Sequence, residues 1–313
     1  AKFNQQTNQT RRFEKIKLIE RGEFTPINKI QKIINLGQSI WYDKIQRCII
    51  QNGALREMIQ RGEIRGLTSN PCSFRDAIAH SNDYDTAIAP MALAGWTAEK
   101  IYTQISIEDI RNAADLFTAL YVQTEGNEGF VSLEINPALF YDAKNIIDEA
   151  KRIWTAVNRP NLMVKIPATA EGLQAAKQLT ADGLNINLSM IFSEETYRQA
   201  AEAYLSGLEE RIAAGKSISK VHAVTSVYVC WIDAKADPLL TEIIANGDET
   251  QSRIASEIKG TVGIALCRKI YRQFEQLFRS DRFKKLEERG AKRQRPLWAG
   301  TRCIANHNPG TRY

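Results

Sequence analysis

The sequence of 313 residues predicts an α/β fold, and a (β/α)8 TIM barrel is the leading architecture. Short apolar segments typical of buried strands alternate with amphipathic stretches of helix length, which is the order of repeated parallel βαβ units. No strand-to-helix turn has the glycine pattern GxGxxG or GxxxxGK, so the competing architecture, an open doubly wound nucleotide-binding sheet, has less support.

Taken in order, the elements begin after a polar extension at residues 1–27, and residues 28–313 are predicted to form a single barrel domain. INKIQKIINLG predicts a helix that ends before Gly37, SIWYDKI a short strand, and CIIQNGALREMIQRGE a further helix. The other predicted strands lie at 64–70, 130–136, 162–168, 185–192, 221–229 and 295–301, with helices at 83–124, 171–180 and 194–214 among those between them. This makes seven strands, and an eighth is not evident in the sequence.

Composition excludes several classes of protein. No window approaches eighteen uninterrupted apolar residues and the N-terminus lacks a signal-peptide core, so we expect a cytoplasmic protein with no membrane partner. Five cysteines without CxxC spacing and three histidines predict neither a disulfide framework nor a metal site, and no cofactor is expected. The net charge of +6 comes from basic residues interspersed with acidic ones, so nucleic acid is not an expected partner; a basic RNA-binding barrel is an alternative that rests on charge alone.

Polar residues recur where the predicted strands end, which in a barrel is where catalytic groups lie. Taken singly, each has a structural interpretation: Asp43 could cap a helix, Asn70 could open a turn before Pro71, and Ser189 could bond back to the strand. Agreement among six strands favours an active site. Its candidate members are Asp43, Asn70, Glu134, Lys165, Asn187, Ser189, Ser226 and Tyr228.

Lys165 is the most unusual of these residues because it interrupts LMVKIP, an apolar run typical of a strand buried on both faces. In one interpretation its side chain extends out to solvent at the strand end. In the other it stays buried, which lowers the pKa of the amine toward neutrality and allows it to attack ketones and form a Schiff base. That chemistry needs proton-transferring carboxylates, and Asp43 and Glu134 are the ones at strand ends.

The segments QSIWYDKIQR, RGLTSNP, SLEINP, RPNLMVKIPAT, GLNINLSMIFS and AYLSGLEERIAAG resemble those of transaldolases over residues 37–301. Members of this family are metal-independent class I aldolases of the pentose phosphate pathway that transfer a dihydroxyacetone unit between sugar phosphates. The resemblance implies Lys165 as the Schiff-base lysine, Asp43 as the acid/base on the C4 hydroxyl and Glu134 as the acid/base acting through a water. Ser189 stands where the family has a threonine that helps to hold that water.

The resemblance also implies a substrate-binding set, in which Asn70 and Asn187 hold the dihydroxyacetone hydroxyls. The family motif S-x-F-V-x-R, whose serine and arginine bind the substrate phosphate, appears here as SVYVCW. Ser226 is kept, but Trp231 replaces the arginine and cannot make a charge-assisted bond to phosphate. Tyr228 replaces the phenylalanine; it either holds the catalytic water, as in the related fructose-6-phosphate aldolases, or packs as phenylalanine would.

The C-terminus departs from the family as well. The chain has PLWAGTRCIANHNPGTRY, with Gly300 in place of a serine and Arg302 as the residue available to compensate at the phosphate. Truncation, a frameshift and a rebuilt C-terminus are all open explanations for the missing eighth strand.

The leading functional hypothesis is transfer of a dihydroxyacetone unit from a ketose or ketose phosphate to an aldose or aldose phosphate, with an altered substrate preference. Two alternatives stay open: a non-catalytic relic or binding scaffold, and a free dihydroxyacetone aldolase. A homodimer is the open alternative to a monomer.

Overall fold

A computed structural model describes residues 29–301 of the chain. The predicted extension at 1–27 and the C-terminal residues from Arg302 onward lie outside the described residues. The seven strands are β1 Trp41–Tyr42, β2 Gly66–Thr68, β3 Val131–Glu134, β4 Leu162–Pro167, β5 Ile186–Ile191, β6 Ala223–Tyr228 and β7 Arg295–Ala299.

Helices separate the strands, and a 3-10 turn at Pro137–Leu139 follows β3. The α-helices are α1 Lys29–Asn35, α2 Arg47–Gln51, α3 Ala54–Gln60, α4 Pro71–Ala79, α5 Asp85–Leu93, α6 Ala98–Gln123, α7 Ala143–Val157, α8 Ala170–Asp182, α9 Glu194–Ala213, α10 Val229–Asn246, α11 Glu249–Ile258, α12 Val262–Leu277 and α13 Asp281–Glu287.

All seven strands pair in parallel and in chain order, from β1 at one edge to β7 at the other. Every strand predicted from the sequence is present, so the predicted parallel α/β fold of the TIM-barrel kind is confirmed. Between residues 29 and 301 the structure contains no eighth strand.

The strands bury both faces, as continuous apolar runs predict. Outward-facing residues such as Leu133, Val164 and Ile166 join the main core beneath the helices. The alternate residues face the barrel interior, where Phe130, Met163 and Val224 form a separate apolar cluster at the amino-terminal half of the strands. Because side chains alternate along a strand, the next inward-facing positions toward the carboxyl ends are Ser132, Glu134, Lys165, Ser226 and Tyr228.

Helix α7 illustrates how the outer layer is built. Asp142 caps its first turn by accepting from the backbone N–H of Asn145 at 3.0 Å. Ile146, Ala150, Ile153 and Val157 are buried at helical spacing against the sheet. Burial of an isoleucine or valine side chain contributes about 1.5–3 kcal/mol, so this stripe holds the helix in place.

Two predicted helices are interrupted. The stretch predicted as one helix over 83–124 breaks between α5 and α6, where Gly95 has a φ of +76°. The helix predicted after Cys48 breaks at Gly53, which has a φ of +87° and separates α2 from α3. A left-handed backbone ends a helix, and glycine adopts it without a steric penalty.

Among the helices in the part of the chain that the structure describes, none is both long and apolar enough to cross a membrane.

Candidate active site

Lys165 and Glu134 are brought together by the register of two neighbouring strands. Glu134 is the last residue of β3 and pairs directly with Lys165 on β4, which in turn pairs with Asn187 on β5. Directly paired residues point to the same face of a sheet, so all three side chains enter the barrel interior near the carboxyl end.

The Lys165 amine is enclosed. The residue is 3% exposed, and its Nζ donates to Glu134 Oε2 at 3.1 Å and to the Ser69 carbonyl oxygen at 3.2 Å. The Tyr228 ring centroid lies 5.9 Å from Nζ. The interpretation in which this side chain extends out to solvent is therefore wrong.

The pKa of Lys165 differs from the sequence prediction. Burial lowers this pKa and is the largest single influence, but the negative charges that Tyr228 and Glu134 can carry raise it, and so do hydrogen bonds to them. The balance leaves the pKa above the ordinary lysine value, so the predicted lowering is wrong for the resting site. A raised pKa favours the ammonium form of Lys165, whose Nζ lies 3.1 Å from Glu134 Oε2.

Glu134 is also approached from its other side. The Ser189 hydroxyl lies 3.4 Å from Glu134 Oε1 and 3.2 Å from the Ile166 carbonyl oxygen, and its single proton can serve one of these acceptors at a time. Ser189 is fully buried. The two carboxylate oxygens thus have separate partners, the ammonium of Lys165 and the hydroxyl of Ser189.

A second polar set surrounds Asn187. Its Nδ2 donates to Ser132 Oγ at 3.2 Å, and its Oδ1 accepts from Ser226 Oγ at 2.8 Å. All three residues are buried, and the two hydroxyls hold the Asn187 amide from both sides. Ser226, predicted as a substrate-binding residue, is therefore engaged with Asn187.

Asp43 and Asn70 lie at the carboxyl ends of β1 and β2. Asn70 caps α4, with its Oδ1 accepting from the Ser73 backbone N–H at 2.9 Å. The Ser73 hydroxyl donates to the Asp43 carbonyl oxygen at 3.4 Å, which links the two loops. Asp43 itself is exposed, and the described contacts connect it with Ser73 rather than with Lys165.

Trp231 lies in the first turn of α10, immediately after β6, and its ring centroid is 6.0 Å from that of Tyr228. The Cys230 backbone N–H donates to the Gly300 carbonyl oxygen at 3.2 Å, which brings the end of β7 to this turn. Gly300 has a φ of +63°, and a Cβ there would meet Cys230 Sγ at 2.7 Å. A serine in this backbone conformation would be strained, so glycine suits the turn as it stands here.

A buried ion pair that the sequence analysis missed supports the loop after β1. Arg47, 6% exposed, donates from Nε to Asp109 Oδ1 at 2.8 Å, and its guanidinium lies 4.9 Å from the Tyr84 ring centroid. Burial raises the pKa of Asp109, although Arg47 acts to lower it. Arg47 begins α2 four residues after Asp43, so the pair anchors the end of this loop.

Other contributors were also missed. Ser132 could have been found, because it lies two residues before Glu134 on the same face of β3. The contact with the Ser69 carbonyl oxygen could not have been found from sequence, because every residue has a backbone carbonyl. Phe192, whose ring centroid is 5.8 Å from that of Tyr228, has the composition of an ordinary core residue. Within residues 29–301, no group of three histidine, cysteine, aspartate or glutamate residues could hold a metal ion.

Comparison with known proteins gives consistent matches. A family model described as Transaldolase/Fructose-6-phosphate aldolase matches residues 40–310, a range that includes all seven strands. A protein named Transaldolase from Trichodesmium erythraeum is 42% identical over 275 residues, covering 88% of this chain and 72% of that protein. Proteins of the same name from an Arthrobacter species and Saccharopolyspora erythraea are 40% and 39% identical, covering 90% and 92% of this chain and 74% and 76% of theirs.

Proposed function

This chain belongs to the transaldolase/fructose-6-phosphate aldolase family, and from that membership we propose that it transfers a dihydroxyacetone unit from a ketose to an aldehyde through a Schiff base on Lys165. The observation that carries the proposal is the enclosed Lys165 amine, 3.1 Å from the Glu134 carboxylate at the carboxyl end of a parallel sheet. A primary amine beside a proton acceptor is what imine formation requires.

The resting ion pair supplies the protons for the first step. Glu134 accepts a proton from the Lys165 ammonium, and the free amine then attacks the ketone carbon to form a C–N bond. The former carbonyl oxygen takes up two protons in all and leaves as water, while the nitrogen stays protonated as an iminium. One ammonium and one ketone thus give one iminium and one water, with Glu134 returned to its starting state and no net redox change.

Carbon–carbon cleavage follows from the iminium. As the C3–C4 bond breaks, its electron pair moves toward the iminium nitrogen to give an enamine, and Asp43 accepts the proton of the C4 hydroxyl. The aldehyde product leaves. The enamine carbon then attacks an acceptor aldehyde, whose oxygen takes the proton back from Asp43, and water releases the new ketose from Lys165. Asn70 and Asn187 hold the dihydroxyacetone hydroxyls, and Ser189 helps to orient the water used by Glu134.

The preference for phosphorylated substrates is altered by the residue that stands where the substrate phosphate would bind. An exposed indole at Trp231 replaces the motif's arginine, and losing a buried arginine–phosphate pair costs on the order of 2–4 kcal/mol. Phosphorylated ketoses and aldoses would remain chemically competent but bind less tightly.

Tyr228 supports a second candidate, release of free dihydroxyacetone instead of transfer. Its ring lies 5.9 Å from Lys165 Nζ, so a water held by the phenol would be close enough to hydrolyse the iminium before an acceptor arrives. Replacing Tyr228 with phenylalanine removes the hydroxyl and keeps the ring. We expect Tyr228→Phe to shift the product ratio several-fold from free dihydroxyacetone toward the transferred ketose; an unchanged ratio would show that this residue only packs.

Label transfer tests the function directly. A ketose donor carrying ¹³C in its first three carbons is incubated with an unlabelled aldehyde, and NMR follows the label. The proposal predicts ¹³C in the first three carbons of the new ketose. The Lys165→Arg variant, which keeps the positive charge but lacks the nucleophilic amine, should transfer no label. A folded wild-type protein that moves no label and releases no dihydroxyacetone would favour the non-catalytic scaffold.

A further inference from the structure

Three aromatic rings lead outward from the Lys165 amine. The Tyr228 ring centroid is 5.9 Å from Nζ, and it has Phe192 on one side at 5.8 Å and Trp231 on the other at 6.0 Å. The Phe192 ring is tilted by 32° to Tyr228, and Trp231 meets it edge-on at 70°. We call Phe192, Tyr228 and Trp231 the aromatic rim.

The rim is open to solvent at its outer members. Trp231 is 55% exposed and Phe192 is 39% exposed. Both follow the carboxyl ends of strands, Phe192 after β5 and Trp231 after β6, at the same end of the barrel as Lys165. Exposed apolar surface that is contiguous with a buried reactive group is typical of a ligand-binding cleft.

The strand that carries Phe192 is irregular at this point. The pairing of β5 with β6 shifts between Leu188 and Ile191, and Met190 has a φ of +66°. A left-handed backbone at a methionine costs free energy that the surrounding structure must compensate. The bulge lies between Ser189, which contacts Glu134, and Phe192, so the irregular segment joins an active-site residue to a rim residue.

The chemistry of the rim favours one class of ligand. Aromatic faces carry partial negative charge, so they repel an anion and attract apolar or planar groups. We propose that the rim binds the far end of an unphosphorylated aldehyde acceptor that carries an aryl or alkyl group. This inference rests on the proposed function, because the aldehyde is the acceptor for the Lys165 enamine. The enamine carbon bonds to the aldehyde carbon, the aldehyde oxygen gains a proton, and nothing is oxidised or reduced.

Acceptor kinetics test the rim. With dihydroxyacetone as donor, addition rates are compared for 3-phenylpropanal, glyceraldehyde and glyceraldehyde 3-phosphate. We expect wild type to prefer 3-phenylpropanal to the phosphorylated acceptor by ten-fold or more in kcat/KM. Trp231→Ala should lose ten-fold or more in kcat/KM with 3-phenylpropanal, a larger loss than with glyceraldehyde, and Trp231→Arg should reverse the preference. A wild-type preference for the phosphorylated acceptor, or an equal loss with all three in Trp231→Ala, would overturn the inference.

Tyr271 offers a matched control, because it is 51% exposed and contacts another aromatic ring, Phe274, at 5.7 Å, but lies on α12. Tyr271→Ala should leave all three acceptors unchanged.

A binding measurement separates the rim from the chemistry. Titration calorimetry of Lys165→Met with 3-phenylpropan-1-ol, which cannot react, should show binding that Trp231→Ala added to that variant weakens ten-fold or more. Equal affinity in the two variants, or no binding to either, would overturn the rim inference, whether or not the protein transfers dihydroxyacetone. Borohydride trapping of dihydroxyacetone on wild type tests the proposed function independently of the rim.

Discussion

Residues 29–301 contain two ion pairs in which both side chains are buried, and the two pairs differ in whether a proton can pass between the partners. Arg47 forms a hydrogen bond with Asp109, an ion pair with Glu108 and a contact with the Tyr84 ring. Lys165 contacts one carboxylate, Glu134, together with the Ser69 carbonyl oxygen and the Tyr228 side chain. A guanidinium keeps its proton in any protein, whereas an amine can give one up. Burial of a charge therefore does not by itself mark an active site; burial of a charge that can be transferred to its partner does.

Loss of the transferable pair should have the largest effect on chemistry. Lys165→Met should lower transfer of dihydroxyacetone by at least about 1000-fold, because no other group provides the nucleophile. The rate is measured by the ¹³C assay. Lys165→Arg is the control for charge, since it can still pair with Glu134; transfer retained by either variant would place the nucleophile elsewhere.

Loss of the fixed pair should have the largest effect on stability. Arg47→Met leaves Asp109 buried without its partner, so the free energy of unfolding should fall by about 3–5 kcal/mol in urea titrations. As a control, Arg75→Met removes the surface ion pair of Arg75 with Asp76. This variant should change the free energy of unfolding by less than about 1 kcal/mol.

The double variant Arg47→Met with Asp109→Leu removes both charges and should recover most of the lost stability. If it is no more stable than Arg47→Met alone, the uncompensated charge of Asp109 is not the cause.

The pH dependence of Lys165 should respond to Glu134. The folded-state pKa of Lys165 is raised, so the ammonium form contributes its full stability below the ordinary pKa of 10.5. That contribution is lost as the pH rises through the folded-state pKa. Glu134→Gln removes an anion and leaves the burial, so the pKa should fall. Reductive methylation by formaldehyde at graded pH, read by mass spectrometry of the Lys165 peptide, should therefore reach half its maximum at lower pH in Glu134→Gln. An unchanged or higher midpoint would contradict the pairing.

The smallest effect concerns Asp109, whose pKa is raised by burial despite Arg47. The pH dependence of stability is therefore opposite to that of a carboxylate whose pKa is lowered. The contribution of Asp109 to stability falls as the pH rises from the ordinary pKa of 3.8 through the folded-state pKa. The stability of wild type relative to Asp109→Asn should decline over that window, which unfolding rates at graded pH can measure. A relative stability that rises with pH would mean that Arg47 outweighs burial.

The same two pairs indicate what sequence can predict. The apolar run around Lys165 and the position of Glu134 at a strand end predicted a buried lysine near a carboxylate. The sequence did not give the register that pairs Glu134 with Lys165, and so the direction of the pKa shift was predicted wrongly. Arg47 and Asp109 are 62 positions apart on two helices, and no periodic pattern connects them.

Local backbone chemistry accounts for the remaining differences. Asn52–Gly53 and the Gly95 to Thr97 segment contain helix-ending and helix-capping residues that periodicity alone overlooks. The strained backbone at Met190 depends on a bulge between strands, which a single segment cannot reveal.

The Schiff base on Lys165 can be trapped by borohydride reduction in the presence of dihydroxyacetone or fructose 6-phosphate, followed by intact-mass and peptide analysis. We expect one reduced three-carbon adduct on Lys165 and none in Lys165→Met. Folded wild-type protein with no adduct from either compound, or an adduct on a different lysine, would contradict this expectation.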